Sequence, residues 1–212
     1  MNIDQKSMRL GAGQFVAETH TKDLIVLHHT VGGTARSTFN YWQDDPRRVA
    51  TAFIIDRDGT IYETFDPAYW AYHVAVPGAG SPLEKRSIGI ELASEGGLTA
   101  SGGSYYSFGV VSPKTRHDTA RFVLPTPWRG FKAFDEYEPA QITSVCWLVN
   151  DLMGRFANIP KRIPAPSQDG FPAMLPPTWR GVCGHSGMRQ DKTDPHPGFP
   201  WATLAAAAGL SV

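Results

Sequence analysis

The sequence predicts an α/β domain in which a central mixed sheet is flanked by helices. Three observations carry that expectation. Leu24-Ile25-Val26-Leu27 is an unbroken apolar run, the pattern of a strand buried on both faces. Asp58-Gly59 separates two apolar runs, a strong hairpin signal. Pro139, a residue favoured at the first helical position, is followed by apolar residues at three- and four-residue steps. Strands interleaved with helices belong to a layered α/β architecture.

In chain order, a polar N-terminal arm (1–22) leads into a strand at 24–29 and a short helix at 37–43. Strands at 51–56 and 60–65 form the hairpin, and Ser87 to Leu92 reads as another strand. Residues 96–137 carry Gly, Ser, Tyr and Trp in loop-like clusters, with short alternating stretches at 104–111 and 120–124; they read as an insertion lining a substrate groove. The helix from Pro139 presents Ile142, Val145, Cys146, Val149, Leu152, Met153 and Phe156 as one buried stripe. A proline-rich loop (157–180) precedes a brief strand, Gly181-Val182-Cys183, and a helix of 201–208 closes a single domain spanning 1–212.

Composition narrows the function. The 212 residues hold 20 Lys+Arg against 20 Asp+Glu, so no net field draws the chain to nucleic acid or to an anionic membrane. The first residues are polar and lack the apolar core of a secretory signal, and no stretch approaches the roughly 20 apolar residues of a membrane span. The expectation is a monomer made in the cytoplasm. Two cysteines, Cys146 and Cys183, are too few for a disulfide framework and read as buried thiols.

Two distant stretches carry the chemistry. Leu27-His28-His29-Thr30 ends the first strand, and Gly184 to Pro195 places His185, Lys192 and Asp194 on one turn-rich loop. Imidazoles and a carboxylate hold catalytic zinc with one coordination position left open for water, which points to metal-assisted hydrolysis. Successive strand residues face opposite ways, so only one of His28 and His29 can meet the metal. His196 and Asp191 are alternative ligands, read here as loop surface. Glu91 sits in the otherwise apolar Ile88-Gly89-Ile90-Glu91-Leu92, where a carboxylate is costly unless paired or catalytic.

These pieces, with Phe53-Ile54-Ile55-Asp56-Arg57-Asp58-Gly59-Thr60 and Trp70-Ala71-Tyr72-His73 between them, occur in the order found in the type-2 N-acetylmuramoyl-L-alanine amidases. The chain resembles those zinc amidases, related to phage lysozyme-amidases and peptidoglycan recognition proteins, over roughly 22–202. The resemblance implies their fold, Zn2+ as cofactor, and peptidoglycan or muropeptide as partner. It assigns His28, His185 and Asp194 as ligands, Glu91 to proton transfer, Lys192 to the oxyanion, and His73 and Trp70 to the substrate side. Several relatives carry a catalytic tyrosine where this chain has Thr51-Ala52, so that role is absent here or moved to Glu91. The implied activity is hydrolysis of the muramoyl–L-alanine amide, as an endolysin of phage or prophage released to the cell wall by lysis. A non-catalytic recognition module and a cytosolic muropeptide-recycling amidase are the alternatives.

Overall fold

β2 (Leu24–His29) has every residue buried, and it lies inside a six-stranded sheet. The computed structural model describes residues 1–165 and 173–212. Across the sheet the order is β1 (Ile3–Asp4), β4 (Ile61–Glu63), β3 (Phe53–Ile55), β5 (Ser87–Leu92), β2, β10 (Gly181–Gly184). Only the β3–β4 hairpin is antiparallel. The mixed sheet expected from the sequence is present.

Register decides which side chains share a face. Ile25 and Leu27 of β2, Ile88, Ile90 and Leu92 of β5 and Val182 of β10 join the larger core cluster. Helices α1 (Ala35–Gln43), α3 (Pro139–Arg155) and α5 (Trp201–Ala208) contribute to the same cluster through Phe39, Trp42, Val149, Leu152 and Leu204. Leu24, Val26 and Cys183 point to the other face, against Leu83 of α2 (Gly80–Arg86) and Met188 of the single-turn α4 (His185–Met188). Helix α3 starts at Pro139 with a Glu138–Gln141 capping box, and its apolar stripe is the expected one, widened by Leu148.

Besides the hairpin strands, which are shorter than expected at 53–55 and 61–63, three regions differ from the sequence reading. The N-terminal arm is built into the fold: β1 pairs in parallel with β4, and Met8 and Leu10 enter the core. Helix α1 begins at Ala35 rather than 37, because the Thr34 side chain caps it by accepting the Ser37 N–H at 3.2 Å. The insertion is a second antiparallel sheet, ordered β7 (Ser104–Tyr106), β6 (Gly97–Ser101), β9 (Phe131–Asp135), β8 (Arg121–Trp128). Leu124 and Trp128 are the buried residues of β8, and Pro125 and Pro127 interrupt its pattern, so alternation is hard to read there.

A polar network fastens this second sheet to the first. Arg57 of the hairpin bonds both carboxylate oxygens of buried Asp135, which also accepts the Glu95 N–H at 2.6 Å. Glu95 in turn accepts from Ser107 and from His117 Nδ1. Of the proline-rich loop, 166–172 lie outside the described residues; its leading part places Ile159 and Ile163 in the core. Cys146 and Cys183 are free and buried. Among the described residues no helix is long and apolar enough to cross a membrane.

Candidate active site

The alternation of β2 sends its two terminal histidines to opposite sides. His29 continues the Ile25–Leu27 face, where its Nδ1 lies 3.0 Å from the Tyr137 hydroxyl. His28 continues the Leu24–Val26 face and meets His185 and Asp194, which follow β10. Because β10 pairs with β2 in parallel, the two strands deliver their C-terminal ends side by side. Residues 157 positions apart thereby become neighbours. Gly184 allows the closure, since a Cβ there would stand 2.6 Å from Pro195 Cδ.

The three facing atoms are His28 Nδ1, His185 Nδ1 and Asp194 Oδ2, separated by 3.1, 2.9 and 2.9 Å. Their hydrogens can be assigned from the partners on the far side of each ring. His185 Nε2 lies 2.9 Å from the Val74 carbonyl, which only accepts, so this nitrogen carries the proton. Ser87 gives its hydroxyl proton to the Glu84 carbonyl, so it accepts from His73 Nε2 at 2.8 Å. His73 Nδ1 is then a lone pair and accepts from His28 Nε2 at 3.0 Å. Burial lowers the His28 pKa to about 4 and drives His73 well below its ordinary value, which keeps both rings neutral. Asp194 contributes a carboxylate oxygen, which only accepts.

Three acceptors therefore converge with no hydrogen among them. Such a group is repulsive until a cation sits between its members. Its mutual distances approach the edge of about 3.3 Å that a tetrahedral zinc with bonds of about 2.0–2.1 Å requires. These residues are also the described group of His, Cys, Asp and Glu able to hold a metal ion. The donor set fits zinc.

The residues behind the ligands carry little sequence signal. Glu84, buried on α2, accepts the N–H groups of His73, Val74 and Ala75 at 3.0, 3.1 and 2.7 Å. One carboxylate thus fixes the segment that backs both histidines. Gly89 makes room for it, since a Cβ there would lie 2.9 Å from His73 Nδ1. Glu84 and Ser87 resemble surface residues in the sequence, and the third supporting group, Val74 O, is main chain. His73 itself backs His28 from a buried position.

Glu91 pairs with His28 across β5 and β2. Its Oε2 is buried with no hydrogen-bond partner. Burial and the negative charge of Asp194 push its pKa well above the usual carboxylate range, and Lys192 partly opposes them. The carboxyl lines a cleft of about 490 Å³ with Thr30, Gly33, Tyr41, Trp42 and Phe108, the last supplied by the insertion.

The remaining sequence candidates lie outside the ligand group. Trp70 is buried against Tyr72 and Lys85, with its indole N–H 3.4 Å from Glu18. His196 is fully buried rather than loop surface: it stacks on Tyr137 at 4.5 Å and bonds the Asp135 carbonyl. Asp191 is exposed and pairs with Arg189. Thr51 is buried and bonds the Phe53 carbonyl.

A parallel-rich sheet that gathers a His, His, carboxylate group at the carboxyl ends of the neighbouring strands β2 and β10, beside a half-buried glutamate, has the build of the amidases. The family model for N-acetylmuramoyl-L-alanine amidase matches residues 18–197, and the chain belongs to that family. Among solved structures it is similar to AmiD from E. coli, in complex with anhydro-N-acetylmuramic acid-L-Ala-D-gamma-Glu-L-Lys, at 22% identity and TM-score 0.59 over 93% of this chain. This chain spans 61% of the AmiD chain. It also resembles a mutant endolysin from Bacillus subtilis (19% identity, TM-score 0.56, 99% of each chain). A third similar structure is the amidase LysC from Clostridium intestinale URNW (16%, TM-score 0.53, 100% of this chain and 99% of that one). At these identities the likeness is one of fold. No curated protein matches the chain.

Proposed function

We propose that the chain is a zinc-dependent N-acetylmuramoyl-L-alanine amidase, cleaving the amide between the lactyl group of muramic acid and the L-alanine of the stem peptide. The observation that carries this reading is the convergence of three acceptors beside Glu91 in a chain of this family. His28, His185 and Asp194 would hold the zinc, which when bound supplies a Lewis acid that polarises a carbonyl and lowers the pKa of water. Glu91 takes a proton from the attacking water and returns it to the amine nitrogen as the C–N bond breaks. Its buried, unpartnered oxygen suits both steps, because burial makes the carboxylate a stronger base toward the water and no neighbouring hydrogen bond competes for the proton it then passes on. Lys192 offers positive charge to the carbonyl oxygen as it becomes anionic.

The muropeptide named with AmiD indicates the substrate class. The chain acts as a monomer on the bacterial wall, in the setting of a phage or prophage endolysin. Retention of Asp194 favours catalysis over a pure recognition module. Digestion of purified murein sacculi, with and without zinc, followed by mass spectrometry tests the reading. Stem peptides with a free L-alanine amine and intact glycan strands are expected; glycan fragments or no product would overturn it.

A further inference from the structure

The turn joining β8 to β9 consists of Arg129 and Gly130, with Trp128 paired to Phe131 on either side. Both residues have positive φ, 49° and 90°. A two-residue hairpin loop of this kind favours Asn-Gly, Asp-Gly or Gly-Gly, because a Cβ crowds the backbone in the left-handed region and only the short polar side chains of Asn and Asp offset that cost with local hydrogen bonds. Arginine is a poor choice for the turn itself. Residues that break a local rule are expected where something else is gained.

The gain is visible at the guanidinium. Arg129 Nη1 donates to the Arg189 carbonyl at 2.8 Å and to the Lys192 carbonyl, and Nη2 donates to the Ser186 carbonyl at 2.9 Å. These three carbonyls span the segment between His185 and Asp194. The side chain is steadied from below by its own neighbour, with the guanidinium carbon 4.5 Å from the Trp128 ring centre. Among the described residues the main-chain hydrogen bonds within the segment are Ser186 N–H to the Asp194 carbonyl, Arg189 N–H to His185, and Lys192 N–H to Arg189 at a long 3.3 Å; Arg189 also pairs with Asp191 and reaches the Ala75 carbonyl, and Leu175 N–H bonds the Gly187 carbonyl. Only a planar group with several donors in a fixed fork can reach three carbonyls at once.

We propose that Arg129 is a positioning residue supplied by the insertion, and that it holds His185, Lys192 and Asp194 in place by gripping the main chain between them. The insertion thereby does more than border a cleft: it completes the second half of the ligand group from outside the central sheet. The link to zinc rests on the amidase reading above, whereas the grip itself does not.

Arg129→Asn separates this role from local folding. Asn-Gly suits the turn better than Arg-Gly, so the hairpin and the melting temperature should be retained or improved. The gripped segment should nevertheless loosen. In metal-free protein, hydrogen exchange at the amides of Ser186, Arg189 and Lys192 should quicken about tenfold or more, as expected when three charge-assisted hydrogen bonds to the segment are lost. Zinc affinity, read by chelator competition, should fall about 10–100-fold, the usual effect of removing an outer support. Arg129→Lys, which keeps the charge but not the fork, should lie between. Arg121→Ala, in the same sheet with its guanidinium over Tyr105, should match the wild type. Wild-type exchange and wild-type zinc affinity in a folded Arg129→Asn protein would overturn the proposal. Faster exchange in a chain whose wild type takes up no zinc would leave the grip standing and remove the metal reading instead.

Discussion

His28 and His73 meet edge-on, Nε2 to Nδ1 at 3.0 Å with their rings inclined at 79°. That contact leaves His28 one chemical form, protonated on Nε2 with its Nδ1 lone pair aimed at His185 and Asp194. A histidine that must choose between two tautomers loses part of its affinity for a cation; this one has no choice to make.

Replacing His73 by leucine should therefore weaken zinc binding about 10–100-fold, the usual effect of losing a partner that orients a ligand. Ser87→Ala, one bond further out, should cost less. Chelator competition monitored by a zinc dye reads both, and equal affinities for wild type and His73→Leu would remove the relay.

The opposed faces of β2 predict a sharp contrast. Purified protein should carry one zinc per chain, His28→Ala should lose it, and His29→Ala should keep most of it. Elemental analysis decides the matter. Loss of zinc from the His29 variant alone would mean that the ligand is the histidine facing Tyr137.

Glu91 pairs with His28 across β5 and β2, Lys192 lies two residues before Asp194, and neither belongs to the ligand group. Glu91→Gln should keep zinc and slow turnover about 10²–10⁴-fold, and Lys192→Ala about 10²–10³-fold. Turnover is to be measured on sacculi by release of L-alanine amines. A zinc-loaded Glu91→Gln protein of near-normal rate would return Glu91 to a structural role.

Away from the site, Lys22 is 1% exposed and its ammonium donates to the carbonyls of Tyr69, Lys85 and Ser87. Burial lowers its pKa to about 7, against a partial opposing effect of Asp66. Between pH 7 and the unfolded value near 10.5 the unfolded chain binds the extra proton, so stability attributable to Lys22 rises with pH in that window, by at most about 1.4 kcal/mol per pH unit. The difference in unfolding free energy between wild type and Lys22→Met, measured by urea titration at pH 7 and pH 9, should grow at the higher pH. A flat or falling difference would show that the three carbonyls hold the ammonium charged.

The sheet, the capped helix from Pro139 and the opposed histidines were legible because each rests on local periodicity. The boundaries of β5 and α5 and the start of α3 coincide with the expected ones for that reason. Glu84 was not legible: its value lies in three main-chain N–H groups brought to it by a turn, and no spacing records that. His196 was misjudged for a related reason, since a Pro-His-Pro context reads as exposed loop while the second sheet, unseen in the sequence, covers it through Phe122 and Phe134. Arg129 was hidden because an arginine before a glycine signals a turn and nothing of what the side chain reaches.

The parallel pairing of β2 with β10 joins strands at opposite ends of the chain. Such long loops close slowly, since their entropy is lost before any contact repays it. The first half of the ligand group is synthesised early and waits for the last strand of the sheet, so the cation-binding geometry cannot exist in a partly assembled chain. With the zinc proposed above, metal capture would be a late event that locks a finished topology, and an excess of zinc during refolding should raise the yield of native protein without hastening the steps that precede it.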